Sequence, residues 1–150
     1  MRAVLQRVKT ASVTVNESKI SQIGPGLLIL LGIEGKDTSA DVDWLVQKIS
    51  KMRIFDDADG KMNLDLPASQ GEALVVSQFT LHASTRKGNR PSYIKAARPE
   101  HAEPLYEEFC EALSSGLLQP AGRGSFGAHM EVSLVNDGPV TIIIDSQNRE

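Results

Sequence analysis

Two short stretches of this chain carry residue types and spacings that could do chemistry. The first is Ser77-Gln78-Phe79-Thr80-Leu81-His82, which follows the apolar residues 73–76. Read as one strand over residues 73–82, it alternates, so Gln78, Thr80 and His82 share one face and Ser77, Phe79 and Leu81 the other. A hydroxyl and an imidazole on one face invite a hydrolase reading, with Thr80 as nucleophile and His82 as base. Spacing opposes it, because residues two apart on a strand lie about 6.5 Å apart, whereas direct proton transfer needs about 2.6–3.2 Å. His101 and His129 fall on a helix start and a strand with no marked partner. No Ser-His-Asp or Cys-His arrangement can be assembled, and no His-x-x-x-His or Cys-x-x-Cys spacing points to a metal. The sequence therefore predicts neither metal nor cofactor.

The second stretch is Asn136-Asp137-Gly138-Pro139-Val140-Thr141, between the apolar runs 130–135 and 140–144. Polar turn residues between β-prone runs ordinarily mark a hairpin turn. The Gly-Pro bond leaves a second conformation open, since an X-Pro bond adopts cis far more cheaply than other peptide bonds. Gly24-Pro25 lacks this context and reads as an ordinary turn.

Taken together, Ser77-Gln78-Phe79-Thr80-Leu81 and Asn136-Asp137-Gly138-Pro139-Val140-Thr141 resemble the paired signature motifs of the D-aminoacyl-tRNA deacylases, and the opening Met1-Arg2-Ala3-Val4-Leu5-Gln6-Arg7-Val8 is similar to that family's start. The resemblance runs from Met1 to about Ser146. It implies a homodimeric enzyme that cleaves the ester between a D-amino acid and the terminal adenosine of tRNA, using the RNA's own 2′-hydroxyl rather than a protein nucleophile. Ser77, Gln78, Phe79 and Thr80 are then the catalytic segment, with the Phe79 and Thr80 backbone N–H groups and the Gln78 amide stabilising developing charge. Ser77 and Thr80 orient the adenosine and the scissile carbonyl. Gly138 and Pro139, with Asn136, Val140 and Thr141, enter the partner subunit's site through a cis peptide bond. They read chirality there by excluding L side chains, although glycine, without a side chain, is not fully excluded. Arg7 holds that motif in place; without the resemblance it reads equally as a surface arginine on an edge strand. Two alternatives accompany this reading: a sister deacylase with a Gly-trans-Pro motif that acts on L-alanyl-tRNA, which Arg7 and Phe79 disfavour, and a non-catalytic tRNA-binding module.

The elements that must position these residues follow from patterning. One hundred and fifty residues suit one domain, 1–150. The longest apolar run, residues 27–31, is strand-length and far short of a membrane span, and nothing near the N-terminus reads as a secretory signal. The single cysteine, Cys110, excludes an internal disulfide, fits a reducing cytosol and reads as a buried, inert thiol on a helix. Net charge is −3, which argues against a general nucleic-acid coat and gives no reason to expect DNA. Yet residues 73–99 hold no Asp or Glu and five cations, Arg86, Lys87, Arg90, Lys95 and Arg98; the remainder has eleven basic against nineteen acidic residues, or −8. A solvated loop and a phosphate-binding patch both fit that segment, and beside the first motif Arg86, Lys87 and Arg90 become candidate tRNA contacts.

Strands are predicted at 2–8, 12–15, 19–23 and 27–33, with a β-meander over the first three. A helix is predicted from about 39 to 52 with Ser39 as N-cap, and a second from about 99 to 113, with Leu105, Phe109, Ala112 and Leu113 inward. Asp56-Asp57-Ala58-Asp59-Gly60 starts like a calcium loop, but the twelfth position is Pro67, so a hairpin turn is preferred. Gly122-Arg123-Gly124 is too short and wrongly placed for a phosphate-binding loop. The order predicts an α+β fold: a curved, barrel-like antiparallel sheet with two packed helices.

Overall fold

The computed structural model describes residues 1–149. β1 (Arg2–Val15) is long enough to serve as a spine: its first half pairs with β3 (Gly26–Gly32), its second half with β2 (Ser18–Ile23), and nearly its whole length with β8 (Glu131–Asp145) on the other side. β6 (Glu72–Ser77) and β7 (Gly122–Arg123) extend the sheet beyond β3, in the order β2-β1-β3-β6-β7. The predicted segments 2–8 and 12–15 are thus one strand. β2 comes back to β7 at Ser21 and Gly122, so the sheet curls into a nearly closed barrel. A separate hairpin, β4 (Phe55–Asp56) and β5 (Met62–Leu64), occupies the segment that resembled a calcium loop.

The sheet is mixed rather than wholly antiparallel. β3 and β6 run parallel, as do β6 and β7. The reason is the connections: α1 (Ser39–Ser50) lies between β3 and β6, and α2 (Pro99–Ser114) between β6 and β7, and a helical crossover returns the chain to the end of the sheet from which it left. α1 starts one residue earlier than predicted in its capping. Thr38 is the N-cap and shares a reciprocal capping box with Asp41, which Ser39 could not form.

β3 shows why this sheet needs two cores. Leu27, Ile29 and Leu31 face the layer of helices, where they meet Val42, Leu45 and Ile49 of α1 and Leu105, Phe109 and Leu113 of α2. Leu28 faces the barrel interior with Val8, Ala11, Val13, Ile23, Leu74 and Val76. Period-two alternation fills both faces, as an apolar run of this length requires. Tyr106 pins α2 to the sheet by donating its hydroxyl to the Val75 carbonyl at 2.9 Å. Cys110 lies fully buried beside it, and burial pushes its thiol up to about 11.

Candidate active site

The apolar strand β6 stops at Ser77, and the chain does not continue as a strand through residue 82. The Gln78 N–H makes one last bond to the Leu31 carbonyl, at 2.8 Å, and Phe79–His82 then winds into a single 3₁₀ turn. Room for that turn comes from Gly32 on the neighbouring strand. A Cβ there would lie 2.9 Å from the Gln78 carbonyl oxygen and 2.9 Å from the Leu81 Cβ. The alternation expected for Gln78, Thr80 and His82 is therefore lost. His82 is 4% exposed, its Nε2 has no hydrogen-bond partner, and its ring packs against Gly32 rather than beside Thr80.

Thr80 instead accepts a hydrogen bond from the Gln78 side-chain amide. With that lone pair used, the threonine's own proton is left to donate outward. The Phe79 and Thr80 backbone N–H groups, the first two of the turn, have no acceptor among the described residues. Ser77, Gln78 and Phe79 line a cavity of about 510 Å³ together with Leu31, Val76, Phe126, His129 and Met130. Arg2 ties this corner to the sheet: it donates to the Leu81 carbonyl at 2.7 Å while holding the Asp145 carboxylate at 2.8 Å. Burial alone would raise the Asp145 carboxyl, but the Arg2 bonds and the Gln147 N–H outweigh it and hold the group below its usual range.

The second motif is not a hairpin turn. β8 runs through it as one strand, but the ladder to β1 jumps from Val8 opposite Asn136 to Gln6 opposite Thr141. Residues 137–140 thus bulge out of the sheet over Arg7, and the Gly138–Pro139 peptide within the bulge is cis. A Cβ on Gly138 would collide with the Val140 backbone nitrogen, so the bulge admits only glycine there. Arg7 is no surface residue: it is 9% exposed. Its Nε donates to the Asp137 carbonyl at 3.1 Å and its Nη1 to the Ile54 carbonyl at 2.7 Å, with the Asp137 and Asp56 carboxylates at 3.3 and 3.4 Å. Gln6, which no local pattern singles out, clips both ends of the bulge, donating to the Asn136 side chain and accepting from Thr141 Oγ1. Asn136, Gly138, Pro139 and Thr141 point into solvent, and Val140 is half-buried against the helix-side core.

Arg86, Lys87 and Arg90 are exposed on a loop whose base is closed by reciprocal Ser84 and Ser92 backbone bonds of 2.8 and 2.9 Å.

Three features define the class. A nearly closed mixed barrel carries two crossover helices, a corner of unpartnered donors borders a cavity, and a bulge held by Arg7 interrupts β8 midway along its ladder to β1. The same fold is found in a solved structure described as a probable eukaryotic D-amino acid tRNA deacylase, with a TM-score of 0.81 over 95% of this chain and 97% of that one, at 16% identity. A second solved structure, described as c-Myc DNA Unwinding Element Binding Protein, is 44% identical with a TM-score of 0.91, covering 97% and 98%. The chain belongs to the D-Tyr-tRNA(Tyr) deacylase family, whose model matches residues 4–145. Its relatives include the D-aminoacyl-tRNA deacylases of Akkermansia muciniphila, 61% identical, and of Porphyromonas gingivalis, 60% identical, each aligned over 100% of both chains.

Proposed function

We propose that this chain is a D-aminoacyl-tRNA deacylase that hydrolyses the ester of D-aminoacyl-tRNA, and of mischarged glycyl-tRNA, to free tRNA and amino acid, in the cytosol and without a cofactor. The observation that carries the reading is the 77–80 corner. It offers donors where an oxyanion would develop and, among the described residues, no base hydrogen-bonded to Thr80, because His82 is turned into the protein. Such a site suits a hydrolysis in which water attacks the ester and the group that assists it comes with the substrate. The tRNA's terminal 2′-hydroxyl supplies assistance, Phe79 and Thr80 N–H receive the charge on the carbonyl oxygen, and Gln78 fixes the Thr80 hydroxyl so that it donates to the bound ester. Ser77 orients the adenosine in the adjoining cavity. Arg86, Lys87 and Arg90 meet acceptor-stem phosphates.

The register supports a composite site in a homodimer. Ser77 is level with Leu31 and hence with Ala3, whereas the bulge sits over Arg7, four residues along β1 and three strands away from β6. That is roughly 13 Å along the strands and three spacings of about 4.8 Å across them, too far for one aminoacyl ester to touch both on one subunit. A two-fold axis brings the bulge of one subunit to the corner of the other. There its carbonyls hold the substrate's α-ammonium, so that an L side chain would be driven into backbone.

Deacylation of D- and L-tyrosyl-tRNA tests the reading: only the D ester should be cleaved. Preferential cleavage of L-alanyl-tRNA would favour the sister activity, and cleavage of neither a binding module. A substrate ending in 2′-deoxyadenosine, with the amino acid on the 3′ oxygen, should resist hydrolysis, while Thr80→Ala should retain measurable activity. Robust turnover of the deoxy substrate would remove the role assigned to the RNA. Activity per subunit should collapse on dilution below the dimer's dissociation constant; a fully active monomer would refute the composite site.

A further inference from the structure

The Phe79 ring projects outward, 56% exposed, and meets Tyr93, 40% exposed, edge to face, with centroids 5.1 Å apart and planes at 71°. They are fourteen positions apart in sequence, and the backbone bonds of the loop bring them together. The Ser84 and Ser92 backbones pair, Ala96 N–H bonds to the Tyr93 carbonyl at 3.0 Å, and Ala97 N–H bonds to Ile33 at 2.9 Å. The cationic tip of the loop is thereby held out while Tyr93 is returned to the motif. An edge-to-face pair leaves ring face uncovered, and half-exposed aromatics amid cations, with no carboxylate in residues 73–99, are the ingredients for unpaired nucleic acid: stacking for a base and charge for its phosphate.

We propose that Phe79 and Tyr93 form a stacking step for the unpaired base that precedes the terminal adenosine of the tRNA 3′ end. This rests on the deacylase reading and extends it by one nucleotide. The adenosine enters the cavity bordered by Phe79, the preceding base lies on the aromatic pair just outside, and the backbone continues toward Arg86, Lys87 and Arg90. Tyr93 acts as a positioning residue, since it touches no reacting atom.

The test compares D-tyrosyl-tRNA with D-tyrosyl-adenosine, which ends before the stacked base. Tyr93→Ala should raise KM for the tRNA about tenfold, the loss of roughly one stacked base, leaving kcat within about twofold. The ratio of the two substrates' KM values should rise by the same factor, and Tyr93→Phe should behave as the parent. An equal rise for both substrates would make Tyr93 a mere prop for Phe79 and overturn the proposal. So would no change in KM, or a Tyr93→Ala protein of altered mass in light scattering, which would mean that a second copy covers the pair. Anisotropy of a labelled single strand ending in CCA reads the same contact without catalysis. It should weaken about tenfold in Tyr93→Ala even if the parent enzyme cleaved neither ester, an outcome that would refute the deacylase reading alone.

Discussion

The 77–82 corner and the 136–141 bulge are held in opposite ways. The corner is made by backbone: a ladder that ends at Gln78, a tight turn, and the space that Gly32 leaves open. Its Ser77 and Phe79 side chains are free to meet a ligand, while Gln78 bonds the Thr80 hydroxyl and the buried His82 packs against Gly32. The bulge has no ladder beneath it and depends on side chains from the strand opposite, chiefly the buried Arg7 guanidinium and the Gln6 amide. The corner should therefore resist substitution of side chains and fail when its space is filled. The bulge should fail when one side chain is cut.

The largest effect is expected from Arg7→Ala, which leaves the Ile54 and Asp137 carbonyls without their charged donor. Bonds to a charged group are worth about 1.5–3 kcal/mol each, so D-aminoacyl-tRNA deacylation should drop by about a hundredfold, with a lower midpoint in urea. Arg7→Lys should not rescue it, because one ammonium cannot reproduce the guanidinium fork. If free adenosine binds Arg7→Ala as well as it binds the parent, the corner is independent of the bulge; a lost affinity would break the comparison.

Gly32→Ala is next. Its Cβ would press on the Gln78 carbonyl and Leu81, and overpacking costs about 1–3 kcal/mol. Stopped-flow hydrolysis should show kcat reduced about tenfold, while chiral discrimination, the task assigned to the bulge, is unchanged. Worsened discrimination would show that the two regions are not separable.

Neutralising Arg86, Lys87 and Arg90 together should raise KM and flatten its salt dependence by about two to three units of log–log slope, at roughly 0.9 per phosphate contact. An unaltered slope would return the loop to ordinary solvated surface. The smallest effect concerns Cys110. Its thiol is raised from 9.0 to about 11, chiefly by burial, so the folded state favours the neutral form. That contribution is complete below about pH 9 and is lost as pH climbs toward 11. Denaturant midpoints of the parent, compared with Cys110→Ala, should diverge only across that window, and thiol reagents should label the parent only once it unfolds.

The sequence by itself determined the elements whose signals are local. The helix predicted over 99–113 appears as Pro99–Ser114 because its apolar positions follow the helical period and a proline opens it. The strand predicted at 27–33 appears as β3, Gly26–Gly32, buried on both faces because nothing in it is polar. The hairpin across residues 57–61 follows from its turn residues. What needed the tertiary structure was each place where a distant partner overrode local preference. Residues 78–82 are as β-prone as those before them, yet they turn, because Gly32 on another strand opens the space and no ladder continues beyond Leu31. Residues 136–141 look like a hairpin turn, yet β8 runs on, because β1 is long enough to pair on both sides of the bulge. The parallel pairs were set by helical crossovers. Gln6 gained its role only from lying opposite a gap in the register, a distance of 130 residues along the chain that no local pattern encodes.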